Sequence, residues 1–417
     1  MKKDRFRLLA AALLAAGLAL RLIYAYRVYR AHDLPGLSTA AVSLSIDPDG
    51  YNLLAENLLK SGTYRMFGKL DTDREPFYPL VLAAIHGLLG PSPVPGIVFN
   101  ALVGVGCCWL ACLIALCLFD NRLAALISLA AAAFYPEWIY YGAYFYREPL
   151  MTLLLGLWIW LWLSRGSRSE IFNHALMGLS FGLLGLTRSA MLPLGAAFVP
   201  IAALRIEPRR WLKTLGLFII CACAVQAPWA WRNYKVTGRL VAGSTMGGSM
   251  MYLSLLKNYD LPDQPLEAPL AAEATPLIAR IKSQKISLAQ AQTLYYRASW
   301  NILLHKPGVF WGAFFHKALK FWRLYPTPGW HYGQREITLM IVGLVSNGLL
   351  LLLGLWGAFL AWRRNYEVGF LLSIPAVTTL ICALYWAVMR FHTPVMLVFM
   401  PLAGYCAADI LGRRSPS

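Results

Sequence analysis

The chain has 417 residues, of which 58% are hydrophobic and only 14% are charged. These fractions lie outside the usual range of soluble proteins and are typical of a protein that crosses a membrane many times. The formal net charge of +18 would suit a nucleic-acid-binding protein, so the positions of the basic residues must first be compared with membrane topology.

Ten apolar runs are long enough, or nearly so, to cross a bilayer, which takes about 20 residues each. They cover residues 8–26, 96–119, 123–141, 149–163, 171–186, 190–204, 215–231, 337–362, 368–388 and 394–411. With the N-terminus inside, the inward segments read MKKDRFR, DNR, SRGSRSE, RIEPRRWLK, RRNYE and GRRSPS, and each carries Lys or Arg. The sequence therefore predicts an all-α polytopic membrane protein of about ten transmembrane helices. Topology explains much of the basic excess, so no nucleic acid is expected as a partner.

The same pattern predicts one transmembrane domain over residues 1–417, with both termini in the cytoplasm. Two long loops, 27–95 and 232–336, face outward, and no C-terminal soluble domain is expected. The first apolar run resembles a signal peptide but continues past Arg21 to Tyr26, which favours an uncleaved anchor. All eight Cys fall within predicted spans, so neither a disulfide framework nor a zinc site is expected. The chain has no Asn-x-Ser/Thr sequon, which favours a bacterial origin.

The first outward loop contains a highly charged stretch, residues 46–79, between two apolar segments. The spacing of apolar residues predicts an amphipathic helix over 49–59, and a second, apolar helix follows over 76–89. Asp47 and Asp49 precede the first helix, where the helix dipole stabilises a carboxylate, so N-capping is the plain interpretation. Asp47-Pro-Asp49 and Asp71-Thr-Asp73 also match a DxD metal motif, but this pattern arises easily by chance and no His is close by.

Charged residues also stand at other predicted outward ends. Glu148 begins a span, where a carboxylate is a functional candidate unless its neighbour Arg147 simply neutralises it. Arg188 ends another span, and snorkelling to the interface is an adequate explanation for it. Arg390 and His392 lie in the turn between the last two spans.

The second long loop begins with Trp231-Arg232-Asn233-Tyr234-Lys235, a mixture typical of the membrane interface and also suited to a lipid phosphate. Farther along, residues 309–325 are predicted to form an interfacial helix. Its apolar face would contain Phe310, Phe314, Leu319 and Trp322, and its headgroup face Lys317, Lys320 and Arg323.

Carboxylates and cations from several outward loops would suit the transfer of a group from a lipid phosphate. Polyprenyl phosphate is already a good leaving group, so it needs positive charge rather than a proton donor. The acceptor hydroxyl needs a base, and one carboxylate at hydrogen-bonding distance is sufficient.

Seven short motifs, in order along most of the chain, resemble one family. They are Asp47-Pro-Asp-Gly-Tyr51-Asn-Leu-Leu-Ala55, Arg74-Glu-Pro-Phe-Tyr78-Pro79, Arg147-Glu148-Pro149-Leu150, Gly185-Leu-Thr-Arg188, Trp231-Arg-Asn-Tyr-Lys-Val-Thr-Gly238, His305-Lys-Pro307 with Phe321-Trp322, and Arg390-Phe-His-Thr-Pro394. Each is weak singly, but together they resemble the C-type glycosyltransferases related to protein O-mannosyltransferases and the lipid A aminoarabinose transferase, in particular bacterial undecaprenyl-linked members.

The resemblance implies an inverting transfer of a sugar, hexosyl or pentosyl, from a polyprenyl-phosphate donor to an acceptor hydroxyl, without nucleotide, metal or other cofactor. The acceptor would be a glycolipid, a glycan or a protein, and the site would face the periplasm or cell exterior of a bacterial inner membrane. Asp47 would match the first-loop base and Glu148 the second-loop acidic residue that positions substrates.

The candidate residues fall into three groups. Those for catalysis are Asp47, Asp49 and Glu148; those for the donor phosphate are Arg74, Arg147, Arg232, Lys235 and Arg390; and those lining the substrate site are Tyr51, Tyr78, Tyr234 and His392. Arg74 matches a position where relatives carry a cation, whereas the phosphate role of Arg232 and Arg390 is an electrostatic inference.

Two features depart from the family. Glu75 stands beside Arg74 where many relatives have an uncharged residue or a cation, and the chain ends soon after its last span. A polyprenyl-linked lipid flippase or transporter, or a non-catalytic membrane scaffold, remains an alternative. A transporter would be expected to carry ionisable residues near mid-membrane and a repeated half, and the sequence shows little of either.

Overall fold

Helices make up nearly all of the described chain. The structure, a computed structural model, describes residues 2–32, 45–164, 170–204, 206–207, 210–256, 268–283, 286–325, 336–362 and 367–413. Parts of both long outward loops, 33–44, 257–267, 284–285 and 326–335, therefore lie outside the described residues. Five of the eight Cys are buried and all eight are free thiols.

The α-helices of the described residues, in chain order, are α1 (Lys3–His32), α2 (Tyr51–Ser61), α3 (Phe77–Leu89), α4 (Pro93–Phe119), α5 (Arg122–Ala133), α6 (Pro136–Gly142), α7 (Glu148–Leu163), α8 (Glu170–Thr187), α9 (Pro193–Ala203), α10 (Trp211–Thr237), α11 (Gly247–Leu256), α12 (Ala268–Ser283), α13 (Leu288–His305), α14 (Pro307–Phe321), α15 (Glu336–Trp362), α16 (Glu367–Leu384) and α17 (Phe399–Arg413). Short 3-10 turns lie at Ser189–Met191, Met389–Phe391 and Val395–Val398.

Each of the ten predicted spans coincides with a helix or a pair of helices. Within the described residues, six segments are long and apolar enough to cross a membrane, and a seventh is possible if the bent pair α5–α6 is one span. The three short runs of the prediction form shorter apolar helices, α7, α8 and α9. The all-α, multi-pass architecture is therefore confirmed, and the described residues contain six or seven segments of full spanning length together with these shorter apolar helices.

A charged side chain from one predicted span forms hydrogen bonds at a break in another. Helices α5 and α6 meet at 47°, and the break precedes Pro136, which has no N–H to donate. The guanidinium of Arg21, in the middle of α1, donates to the freed carbonyls of Ala132 and Ala133 at 3.1 and 2.9 Å. Gly104 leaves room for it, since a Cβ there would lie 2.7 Å from the Arg21 Nε. The buried charge thus replaces the hydrogen bonds that the break removes.

The first outward loop folds largely as its sequence predicts. Helices α2 and α3 pack on each other, and between them Arg65–Met66 (β1) pairs antiparallel with Lys69–Leu70 (β2). The connecting residues Phe67 and Gly68 both have positive φ, 48° and 78°, as a tight hairpin turn of this kind requires.

The face of α14 differs from its prediction. Lys317 and Lys320 are buried, whereas Leu319 is 76% exposed. The Lys317 Nζ donates to the Ser254 hydroxyl at 2.8 Å and to the Leu384 carbonyl, the last residue of α16, at 3.1 Å. A cation at a helix C-terminus is favoured by the helix dipole, so this lysine faces inward rather than toward headgroups.

Candidate active site

The two first-loop aspartates have different surroundings. Asp47 is 6% exposed, and its Oδ1 and Oδ2 accept hydrogen bonds from the backbone N–H groups of Tyr51 and Leu53 at 2.8 and 3.0 Å. Gly50 is the N-cap residue of α2, and the Asp47 carboxylate, three residues earlier, satisfies free N–H groups in the first turn of the helix. Burial raises the pKa of Asp47 to about 7, although these N–H groups favour the ionised form. The turn after it requires Gly50, whose φ is +76° and where a Cβ would collide with Met66.

Asp49 belongs to an ion-pair bridge. The Arg390 Nη1 lies 3.0 Å from the Asp49 Oδ2, and the Arg390 Nε lies 3.0 Å from the Glu148 Oε1. The same guanidinium carbon is 4.7 Å from the centre of the Tyr146 ring. Burial alone would lower the pKa of Arg390, but the two carboxylates raise it well above its usual value. The bridge thus joins the first loop, the start of α7 and the turn between the last two spans.

A second bridge lies beside the first. The Arg147 Nη1 contacts the Glu75 Oε2, and the Glu75 Oε1 accepts from the Ser189 N–H and hydroxyl at 2.8 and 2.6 Å. Burial acts to raise the pKa of Glu75, but Arg147 and Ser189 hold it below its usual value. Arg147 therefore neutralises Glu75 and not its neighbour Glu148, contrary to the plain interpretation. We call Asp49, Glu75, Arg147, Glu148 and Arg390 the charge cluster.

Arg188 stands next to this cluster. It is 5% exposed, and its guanidinium carbon lies 3.4 Å from the centre of the Phe391 ring. Its Nη1 has no hydrogen-bond partner among the described residues. Burial, reinforced by the charge of Arg147, lowers the pKa of Arg188 to about 10. Snorkelling does not describe this side chain, because it points inward.

Arg74 and Arg232 organise the first loop. The Arg74 Nη1 pairs with the Asp71 Oδ2 at 3.0 Å, and its Nε donates to the Asp49 carbonyl at 2.6 Å. The Arg232 Nη1 and Nη2 donate to the carbonyls of Asp71 and Tyr64 at 2.6 and 3.3 Å. The contacts of Arg232 thus join the first loop to α10, and its predicted contact with a phosphate stays a prediction.

The second loop reinforces this arrangement at Thr245. Its N–H donates to the Thr72 carbonyl at 3.0 Å, and its hydroxyl donates to the Asp73 carboxylate at 2.8 Å. Both long loops therefore meet at the Asp71-Thr72-Asp73 sequence, which serves as a turn. Within the described part of the chain, no three His, Cys, Asp or Glu side chains converge to hold a metal ion.

The predicted substrate-lining residues separate into two groups. Tyr51 is buried with its ring edge-on to Tyr78, and the Arg147 guanidinium carbon is 5.5 Å from its centre. The Tyr78 hydroxyl accepts from the Asn100 amide at 2.9 Å, so Tyr78 anchors α3 to α4. In contrast, Tyr234 and Lys235 are exposed and pack against Trp231. Their predicted roles in the site stay predictions, since these contacts lie at the exposed end of α10.

His392, which was predicted to line the substrate site, lies in a buried polar network. Its Nδ1 lies 2.7 Å from the Phe321 carbonyl, to which it must donate, and its Nε2 lies 3.3 Å from the Glu137 Oε2. Glu137 also accepts from the Thr393 hydroxyl at 2.9 Å and the Asn347 amide at 2.7 Å. Burial lowers the pKa of His392, but Glu137 and the Phe321 carbonyl outweigh this and raise it.

This network was missed at the sequence level, although a signal was present. Glu137 is a carboxylate inside a predicted span, and the rule that singled out Glu148 applies equally to it. The network fixes the turn that carries Arg390, because His392 and Thr393 follow Arg390 directly. Between the network and the charge cluster lies a small cavity, lined by Gly104, Trp138, Tyr141, Glu148, Pro149, Thr152 and Thr393.

Comparison with known proteins gives a family match over part of the chain. Residues 73–231 match the family described as dolichyl-phosphate-mannose-protein mannosyltransferase. This segment contains Arg74, Glu75, Arg147, Glu148 and Arg188. A search of curated proteins found no match.

Solved structures similar to the chain come from two kinds of enzyme. One is the archaeal oligosaccharyltransferase AglB from Archaeoglobus fulgidus, which was solved with an inhibitory peptide and a dolichol-phosphate. It aligns with a TM-score of 0.56 and 15% sequence identity, and the alignment covers 99% of this chain and 51% of the AglB chain. The chain therefore spans about half the length of that protein. Another is ArnT from Cupriavidus metallidurans, which was solved with undecaprenyl phosphate. It aligns with a TM-score of 0.43 and 16% sequence identity, and the alignment covers 95% of this chain and 80% of the ArnT chain.

These comparisons confirm the predicted resemblance and the predicted fold class. The chain is a multi-pass membrane protein with the C-type glycosyltransferase fold, and its residues 73–231 match the dolichyl-phosphate-mannose-protein mannosyltransferase family.

Proposed function

We propose that the protein transfers a sugar from a polyprenyl-phosphate donor to an acceptor hydroxyl at the extracytoplasmic face of a bacterial inner membrane. The observation that carries the proposal is the Arg390 bridge, which places two carboxylates from separate loops around one guanidinium beside Arg147 and Arg188. The family description names a dolichyl-phosphate sugar donor, and the archaeal neighbour was solved with a dolichol-phosphate, which supports the donor class.

In this reaction the acceptor oxygen attacks the anomeric carbon as the bond from that carbon to the phosphate oxygen breaks. The electron pair leaves with the polyprenyl phosphate, and the proton of the acceptor hydroxyl passes to a carboxylate. Attack opposite the leaving group inverts the anomeric configuration. No nucleotide or metal takes part in these steps as proposed.

Asp47 is the proposed base. A general base works best when its pKa lies near the operating pH, and burial gives Asp47 a pKa of about 7. The backbone N–H groups of Tyr51, Asn52 and Leu53 donate to this carboxylate, which leaves at least one of its four lone pairs for an acceptor hydroxyl. Asp49 and Glu148 hold Arg390 at the site, so their proposed role is to position positive charge.

The test uses a product that does not depend on the identity of the sugar. Purified protein in proteoliposomes is given a panel of undecaprenyl-phosphate hexoses and pentoses with bacterial envelope acceptors, and release of undecaprenyl phosphate is measured by mass spectrometry. We expect release with at least one donor, and loss of release in Asp47→Asn. Asp120→Asn, at an exposed helix end, is the matched control and should keep full activity.

Two results would contradict the proposal. Absence of released undecaprenyl phosphate with every donor, in protein that remains folded, would exclude glycosyl transfer from this lipid class. Normal release by Asp47→Asn would leave the transfer reaction standing but remove Asp47 as its base.

A further inference from the structure

Three of the cations predicted to hold the donor phosphate already have carboxylate partners in the protein. Arg147 contacts Glu75, and Arg390 lies between Asp49 and Glu148. Arg74 pairs with Asp71. Each of these guanidinium groups is compensated by a carboxylate, so a phosphate would have to compete for it.

Arg188 differs from all of them. No carboxylate of the described residues lies within ion-pair distance of it, and its Nη1 is buried without a hydrogen-bond partner. A buried guanidinium without a counter-charge is unfavourable, because its lost hydration is not replaced. Arg147 and Arg390 lie close enough to repel it further, and the nearby Glu148 only partly compensates. The fold gains nothing evident from this charge.

The position of Arg188 points to what compensates it. Its guanidinium lies over the ring of Phe391, the residue that follows Arg390 in the sequence. Arg188 itself directly precedes Ser189, whose hydroxyl donates a hydrogen bond to Glu75. Stacking on an aromatic ring fixes the plane of a guanidinium and leaves its N–H edges available for an anion. Arg188 therefore lies next to both ion-pair bridges.

We propose that Arg188 is the residue that binds the phosphate of the lipid donor, an assignment that rests on the proposed function. Before transfer the donor is a phosphodiester with one negative charge. When the bond to the anomeric carbon breaks, the polyprenyl phosphate keeps the electron pair and gains negative charge on an oxygen. Arg188 supplies the uncompensated positive charge that stabilises this oxygen, while Arg147 and Arg390 maintain the geometry of the site.

Binding of defined lipids tests this assignment separately from catalysis. Phosphatidylcholine nanodiscs containing undecaprenyl phosphate, undecaprenol or phosphatidylglycerol are offered to the wild-type protein and to Arg188→Gln and Arg188→Lys, and affinity is measured by native mass spectrometry. Arg65→Gln, an exposed arginine on the hairpin, is the matched control. We expect Arg188→Gln to bind undecaprenyl phosphate about 10- to 100-fold more weakly, the loss expected for one charge-assisted hydrogen bond, and Arg188→Lys to recover part of it.

Thermal stability without lipid provides a second readout. A structural arginine would leave a less stable protein when replaced, whereas Arg188→Gln should melt at an equal or higher temperature than the wild type, because an uncompensated charge is removed. Lower stability of lipid-free Arg188→Gln, or unchanged affinity for undecaprenyl phosphate, would overturn the assignment.

The lipid arms distinguish the possible failures. Equal affinity of the wild type for undecaprenyl phosphate and undecaprenol would contradict phosphate recognition and hence the proposed function. Preference for undecaprenyl phosphate that survives in Arg188→Gln would contradict the role of Arg188 alone. Equal binding of phosphatidylglycerol and undecaprenyl phosphate, lost together in Arg188→Gln, would identify a general lipid-phosphate site and reject the donor-specific assignment.

Discussion

The ionisation of Asp47 should control the rate of sugar transfer near neutral pH. Its pKa is raised from 3.8 to about 7 because the carboxyl is buried. A base must be ionised to accept a proton, so kcat/KM should rise with pH through this value. From pH 6 to pH 8 the ionised fraction grows from about a tenth to about nine tenths, which gives an increase of roughly tenfold for a single titration.

The assay is the initial rate of undecaprenyl phosphate release between pH 5.5 and 8.5 at low donor concentration. Asp47→Asn should lower the rate by about 100- to 10,000-fold, the usual contribution of a positioned base, and should remove the rise with pH. A wild-type rate that is flat over this range would refute the reasoning, because a carboxyl with an ordinary pKa near 4 is already ionised throughout it.

Stability gives an independent check of the same pKa. Because the folded state holds the Asp47 proton more tightly than the unfolded state, the free energy of unfolding should fall as the pH rises from about 4 to about 7 and then stay level. The shift corresponds to a destabilisation on the order of 4 kcal/mol above pH 7. Asn at this position cannot ionise, so it avoids this destabilisation, but it weakens the hydrogen bonds to the helix N-terminus by about 1 kcal/mol. Asp47→Asn should therefore be at least as stable as the wild type at pH 8.

Further predictions follow from other buried groups. Arg390→Ala should raise the donor KM and destabilise the protein by about 3–5 kcal/mol, since Asp49 and Glu148 lose their shared partner; an unchanged KM would remove Arg390 from donor binding. Glu137→Gln should raise KM through Arg390 by loosening the His392 turn, with a loss of stability of about 1–3 kcal/mol in a melting experiment; equal KM and stability would show that the network does not hold that turn. Burial lowers the pKa of Lys317 to about 8, so stability should rise between pH 8 and about 10.5 by on the order of 3 kcal/mol, and Lys317→Met should abolish this rise.

The fold could be predicted from the sequence because long apolar runs and basic inward segments carry most of the information about membrane topology. The predicted topology placed Asp49, Glu148 and Arg390 on the outward side, at the same end of the helices. In the structure Arg390 forms ion pairs with both carboxylates there. The first-loop helices were also predicted within two residues of their observed starts and ends. These features depend on local pattern, which a single sequence contains.

Pairing among the charges could not be predicted in this way. Adjacency suggested that Arg147 neutralises Glu148, but the side chains leave the backbone in different directions and Arg147 contacts Glu75. Likewise, the spacing of apolar residues on α14 did not determine which face of the helix packs against the protein. Lys317 could contact either lipid headgroups or the carbonyls at the end of α16, as it does in the structure. Such choices are decided by neighbours distant in sequence, so they became visible only in three dimensions.

The Arg21 contact has a consequence for biogenesis. On its own, an arginine in the middle of the first membrane segment makes insertion less favourable by about 2.5–3.5 kcal/mol. Its compensation comes from the carbonyls of Ala132 and Ala133, more than a hundred residues later in the chain. The nascent first helix must therefore wait for the third predicted span to emerge before its guanidinium gains these hydrogen bonds. Co-translational assembly of these segments is thus a cooperative step and a point where quality control can act.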